Sequence, residues 1–190
     1  MKDNIVRELD KFRVIYGLKQ VYRFNSVGKR KESTAEHISS TLLLADFLME
    51  QFDFKVDKMH VFELILYHDV VELYSGDMPL HPSIKIVGQK EKEAKDSVRL
   101  SKVLPKVVST KYLELFREFE ARKTREAKLA KAIEQLDAEI HELDYKKDWK
   151  GWTEKFLREK KEKYLADFPQ LKDLFERHIK YCRENGYFDQ

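Results

Sequence analysis

The sequence predicts an all-α protein with a compact multi-helix fold, and three observations carry that reading. Apolar residues recur at helical spacing almost from end to end, 6 Gly and 4 Pro are all that interrupt 190 residues, and no convincing run alternates with period two. With 42% hydrophobic residues, a chain of this length buries a substantial core despite 37% charged residues.

The first predicted helix covers residues 3–19, and Gly28 marks the break that follows. The second, 34–52, has a defined start. Ser33-Thr34-Ala35-Glu36 fits a capping box, so Ser33 is the N-cap and His37 sits in the first turn. Ile38, Leu42, Ala45, Met49 and Phe52 form its apolar side. Asp53 to Asp57 separate it from a helix at 58–74, where Val61, Leu64, Ile65, His68, Asp69 and Glu72 share one face. Ser75 to Pro82 form a loop in which Gly76 takes the C′ position. A helix at 84–103 ends before Pro105, and its Lys90 to Lys95 stretch is a solvated face. Helices at 109–122 and 124–145 are parted by Arg122 to Thr124; in the second, Leu129, Ile133, Leu136 and Ile140 trace the buried stripe. Gly151 and Pro169 punctuate the last two helices, 152–164 and 168–185. None of these breaks has the composition of an interdomain linker, so residues 1–190 read as a single domain, with a motif core at about 20–145 and C-terminal helices in 146–190.

Charge and cysteine usage narrow the function classes. Thirty-seven Lys and Arg against 34 Asp and Glu leave a net charge of +3, too small to argue for nucleic-acid or membrane binding. Cys182 is alone, which excludes an intramolecular disulfide and a Cys-based zinc site and suits a reducing compartment. The opening Met1-Lys2-Asp3-Asn4 lacks an apolar signal region, and no stretch has the length of a membrane span, so the expected location is the cytoplasm.

The chemistry is concentrated in four residues. His68-Asp69 lie inside an apolar stretch, His37 precedes them and Asp137 follows, and an Asp on a buried face is costly unless it is paired or metal-bound. Two imidazoles and two carboxylates from three segments form a ligand set for one divalent metal that activates water. Such a set suits Mn²⁺, Co²⁺, Fe²⁺, Ni²⁺ or Zn²⁺ without selecting among them. Glu72 and Asp77 are acidic residues beside that centre and candidates for general acid and base, although Asp77 also reads as a turn former. His141 lies one turn after Asp137 and is open as a spare ligand, a supporting partner or a surface residue. His60 and His178 show no partner pattern.

The order His37, His68-Asp69, Asp137 resembles the HD-domain superfamily of metal-dependent phosphohydrolases. The finer pattern, Glu-Ser-Thr-Ala-Glu-His and Tyr-His-Asp-Val-Val-Glu-Leu-Tyr-Ser-Gly-Asp-Met-Pro, is similar to its 5′-deoxynucleotidase subgroup, over roughly residues 5–145. The resemblance implies an HD-domain fold in which His37, His68, Asp69 and Asp137 hold one divalent cation, with Co²⁺ or Mn²⁺ favoured. It also implies that Glu72 and Asp77, together with Asp69, serve the chemistry at phosphorus. Arg23-Phe24 matches the Arg-aromatic pair with which the subgroup contacts its nucleotide; the family usually has Trp where Phe24 stands. Two-metal members carry extra His ligands between the His-Asp pair and the last Asp, where this chain has only His81, so one metal is expected. The implied activity is removal of phosphate from (deoxy)nucleoside 5′-monophosphates, with a small-molecule nucleotide as partner and a homodimer left open. The alternatives are a phosphodiesterase or triphosphohydrolase of the same superfamily, or a nucleotide-binding regulatory module without turnover.

Overall fold

The computed structural model describes residues 2–189. Helix α1 (Lys2–Phe12) tightens into a 3-10 stretch at Arg13–Gln20, so the helix expected at 3–19 is two kinds of helix end to end. A two-stranded antiparallel hairpin follows, β1 (Tyr22–Val27) and β2 (Arg30–Ser33), with Gly28 at φ 59° in its turn. The sequence reading missed this hairpin, and the burial pattern explains why. Its inward residues are Asn25, Ser26, Glu32 and Ser33. An alternation of hydrophobic and polar residues is the usual strand signal, and a strand whose buried face is polar does not give it.

The capping box is formed as expected: Ser33 accepts from the Glu36 N–H, and the Glu36 carboxylate accepts from the Ser33 N–H. It starts α2 (Thr34–Phe52), which is followed by α3 (Lys58–Tyr67), with Asp57 as N-cap. The helix expected at 58–74 breaks at His68. Residues 68–71 form a turn closed by three-residue bonds such as Glu72 N–H to the Asp69 carbonyl at 3.0 Å, and a short α4 (Glu72–Ser75) ends at Gly76. His68, Asp69 and Glu72 therefore do not share a regular helical face.

Helices α5 (Gln89–Ser101) and α6 (Lys106–Ala121) start five residues later and three earlier than the periodicity suggested. Helix α7 (Arg125–His141) ends four residues before the expected boundary and leaves Ile140 39% exposed, because the chain turns there into two short 3-10 segments. The chain closes with α8 (Glu154–Leu165) and α9 (Pro169–Glu184).

Helix α7 packs against α2, α3, α6 and α8, and its Leu129, Ile133 and Leu136 share a core with Leu48, Leu64, Ile65, Trp149, Leu157 and Phe175. A second cluster under the chain start joins Leu18, Ile38, Val70, Leu100, Tyr112 and Phe116. The end of α7 and the 3-10 segments after it anchor the hairpin through three contacts: Ser26 N–H donates to Asp148 at 2.9 Å, Gly28 N–H donates to the Tyr145 hydroxyl at 3.0 Å, and His141 Nε2 donates to the Ser26 carbonyl at 2.8 Å. With its Nε2 on that carbonyl, His141 supports the hairpin, and the spare-ligand reading is set aside.

Candidate active site and metal centre

His37, in the first turn of α2, and His68, at the end of α3, are both buried, and their imidazoles meet edge to face with centroids 5.5 Å apart. Each ring is oriented by its Nδ1. His68 Nδ1 donates to the Ile65 carbonyl at 2.6 Å, and a carbonyl can only accept. His37 Nδ1 faces Asp137 Oδ2 at 2.9 Å, and Ser40 Oγ donates to the same oxygen at 2.9 Å. Both Nε2 atoms then point inward, buried and without a hydrogen-bond partner. Asp69 Oδ2 lies 3.0 Å from His68 Nε2 and 3.6 Å from His37 Nε2. Among the described residues these three form a group whose ligand atoms all lie within 4.8 Å of one another.

Two orphaned imidazole nitrogens converging on a carboxylate fit a divalent cation, because each offers a lone pair where no protein donor comes to meet it. Asp137, the fourth residue of the expected set, is not in this group of three and lies against His37 from outside it. The structure turns its Oδ2 onto the outer nitrogen of His37, the place from which a carboxylate fixes the orientation of a ligand imidazole.

A cavity of about 820 Å³, mouth included, opens beside the centre. Arg23 on β1 reaches into it: Nε donates to Glu32 at 3.1 Å, and Nη1 lies 3.5 Å from Asp69 and 3.7 Å from Asp77. Glu72 accepts from Thr34 Oγ1 at 2.7 Å and lines the same cavity with Asp77. Phe24, 36% exposed, lies at the mouth with its ring 5.1 Å from that of His81. His81 itself is bonded to Ser83 and to the Lys150 carbonyl, away from the ligand group.

Burial governs the electrostatics here and is overridden where opposite charge is close. Burial raises the Asp69 carboxyl, yet His68, His37 and Arg23 together hold it well below the ordinary range. In return, Asp69 raises His68 against the burial that lowers it. Glu72 is pushed well above its ordinary value by burial and by the charges of Asp69 and Asp77. Asp77 is raised by burial in spite of Arg23. Arg23 stays cationic, since the surrounding carboxylates more than offset its desolvation.

The sequence reading did not single out the residues of α7 that face this cavity. Lys131, Glu134, Gln135, Ala138, Glu139 and, just past the helix end, Glu142 line its floor. They recur at i, i+3, i+4, i+7, i+8 and i+11, so the stripe was present in the sequence, but a polar stripe on a charged helix looks the same when it faces solvent. Glu134 is held down to about 2 because Lys131, 2.8 Å away, outweighs its burial. Trp152 and Lys161, from the segment after α7, close the far end.

Residues 15–172 match the family model described as HD domain. A 5′-deoxynucleotidase HDDC2 of Xenopus laevis is 28% identical over 117 residues, 62% of this chain and 57% of that protein. The Mus musculus protein of the same name is 25% identical over 136 residues, 70% of this chain and 67% of that protein. The chain thus spans about three fifths of the length of the curated relatives it matches. Among solved structures, one from Magnetospirillum magnetotacticum, described as a predicted metal-dependent phosphohydrolase, superposes with a TM-score of 0.83 at 27% identity, over 98% of this chain and 96% of that one.

Proposed function

The chain belongs to the HD-domain family, and from that membership and the geometry of the centre we propose that it is a metal-dependent phosphohydrolase acting on (deoxy)nucleoside 5′-monophosphates. The observation that carries the reading is the pair of buried, unpartnered nitrogens, His37 Nε2 and His68 Nε2, turned toward Asp69. These three residues hold one divalent cation, Co²⁺ or Mn²⁺ in preference to Fe²⁺, Ni²⁺ or Zn²⁺. Asp137 orients His37 with Oδ2 and has its second carboxylate oxygen to offer as a fourth ligand. When bound, the cation supplies Lewis-acid polarisation of the phosphate and lowers the pKa of a water beside it.

The chain's own residues divide the remaining work. Glu72 and Asp77 face the cavity as proton carriers, Glu72 steadied by the Thr34 hydroxyl, and one of them delivers the proton that the departing nucleoside 5′-oxygen requires. Arg23 turns Nε and Nη1 toward carboxylates and presents Nη2 to a phosphate oxygen, while Phe24 offers an apolar surface beside it. The C-terminal residues share both core and cavity with the motif region, which supports reading the chain as one domain. No helix among the described residues is long and apolar enough to cross a membrane.

Substrate size follows from the charge available. Lys131 is engaged by Glu134 and Lys161 by Glu139, so one cation and Arg23 face the substrate, enough for one phosphate and too little for three. 5′-Monophosphates are expected to be cleaved in preference to triphosphates and cyclic dinucleotides, and Arg23→Lys to lower kcat/KM on monophosphates by roughly tenfold or more. Steady-state kinetics on matched mono- and triphosphates check this. A triphosphate with the higher kcat/KM, or an Arg23→Lys enzyme equal to wild type, would favour the triphosphohydrolase alternative.

A further inference from the structure

The cavity continues past the acidic centre. Its floor along α7, from Lys131 to Glu142, spans about 16 Å at the helical rise per residue. One end holds Asp69, Glu72 and Asp77. The other is built by Glu139, Glu142, Trp152 and Lys161, none of which has a part in the hydrolysis proposed above.

All four are more than nine-tenths buried, with Glu139 2% and Trp152 5% exposed. Lys161 pairs with one carboxylate oxygen of Glu139 and donates to the Gln135 carbonyl at 3.0 Å, so its charge is satisfied within the protein. The other oxygen, Glu139 Oε2, has no partner, and neither does the indole Nε1–H of Trp152. A buried acceptor and a buried donor without partners, on residues that line one end of a cavity, are costly unless a group arriving there satisfies both. Aromatic surface is at hand there: the Trp152 ring lines this end, with the His81 ring packed edge-on against it at 6.1 Å.

We infer that this inner end is the subsite for the heterocyclic base of the nucleotide, with Glu139 Oε2 accepting from a base N–H and Trp152 Nε1–H donating to a ring nitrogen or carbonyl oxygen. The inference rests on the phosphohydrolase reading for what happens at the other end. A flat heterocycle with a polar edge satisfies both open groups and covers the aromatic surface, whereas a sugar hydroxyl leaves that surface bare. Glu142 adds to the fit. Burial, with Glu139 next to it, pushes its carboxyl up to about 8, so near neutral pH it carries a proton and can both donate and accept. Such a set reads the presence of a base more than its identity, since each base carries both a donor and an acceptor on its polar edge.

Trp152→Phe tests this, because it keeps a ring and removes only the N–H, and Glu139→Gln serves as the second variant. Calorimetric titration with 2′-deoxyadenosine and thymidine, which carry no phosphate, reads the subsite independently of hydrolysis. Both nucleosides are expected to bind wild type and to bind each variant about tenfold more weakly. In turnover, the loss in kcat/KM on dAMP and dTMP is expected to exceed the loss on 2-deoxyribose 5-phosphate by the same factor, and to lie in KM. Nucleosides that bind wild type and Trp152→Phe equally, or variants impaired to the same degree with and without a base, would overturn the subsite. Wild-type protein that binds nucleosides but releases no phosphate would instead retire the hydrolase reading and leave the base subsite standing.

Discussion

His68→Ala and Asp69→Ala are each expected to abolish both metal binding and phosphate release, the largest effect of any substitutions in the chain. His68 and Asp69 come from a turn at the end of α3, and His37 comes from the start of α2, so a bound cation ties these elements together. A ligand that binds only the folded state raises its stability, by about 2.7 kcal/mol when present at 100 times its Kd. For a chain of this size that corresponds to a rise in Tm of roughly 5–10 °C on adding metal to wild type. Neither variant should show the rise. Metal analysis, thermal melts with and without added cation, and turnover on one protein sample check all three expectations together. Unchanged turnover in either purified variant contradicts the site.

Glu72→Ala separates chemistry from metal retention. Glu72 is buried, accepts from Thr34 at 2.7 Å and is not in the group of three whose ligand atoms converge. The variant is therefore expected to keep one equivalent of metal and the metal-dependent rise in Tm, while losing on the order of 10²–10⁴ in kcat. Loss of metal from this variant would make Glu72 a ligand, and an undiminished rate would transfer its proton-handling role to Asp77.

How far the sequence foretold this site depends on which kind of signal each part left behind. The capping box at Ser33 and Glu36 is a local hydrogen-bond pattern, readable from four residues, and it forms as read. The apolar stripes of α2, α3 and α7 were legible because burial imposes a period. The break at His68 was not, since the apolar period runs on through Val70 and Val71 while the backbone tightens into a turn. The strand that carries Arg23 left no hydrophobic alternation, because the face it buries lines a polar cavity. Asp137 was read as a metal ligand, but that one of its oxygens meets the outer nitrogen of His37 is a matter of three-dimensional orientation that no spacing encodes. Trp152 and Lys161 lie outside any motif, and only the return of the C-terminal segment onto α7 brings them to the cavity.

The central claim is that one divalent cation, held by His37, His68 and Asp69 with Asp137 as the fourth ligand, makes this chain a 5′-monophosphate hydrolase. Titrating Co²⁺ or Mn²⁺ into metal-stripped protein while measuring phosphate released from dAMP tests it most directly. The account predicts no release without metal and activity that rises to a plateau at one equivalent per chain. Full activity in the stripped protein, or no release with either metal, would contradict it.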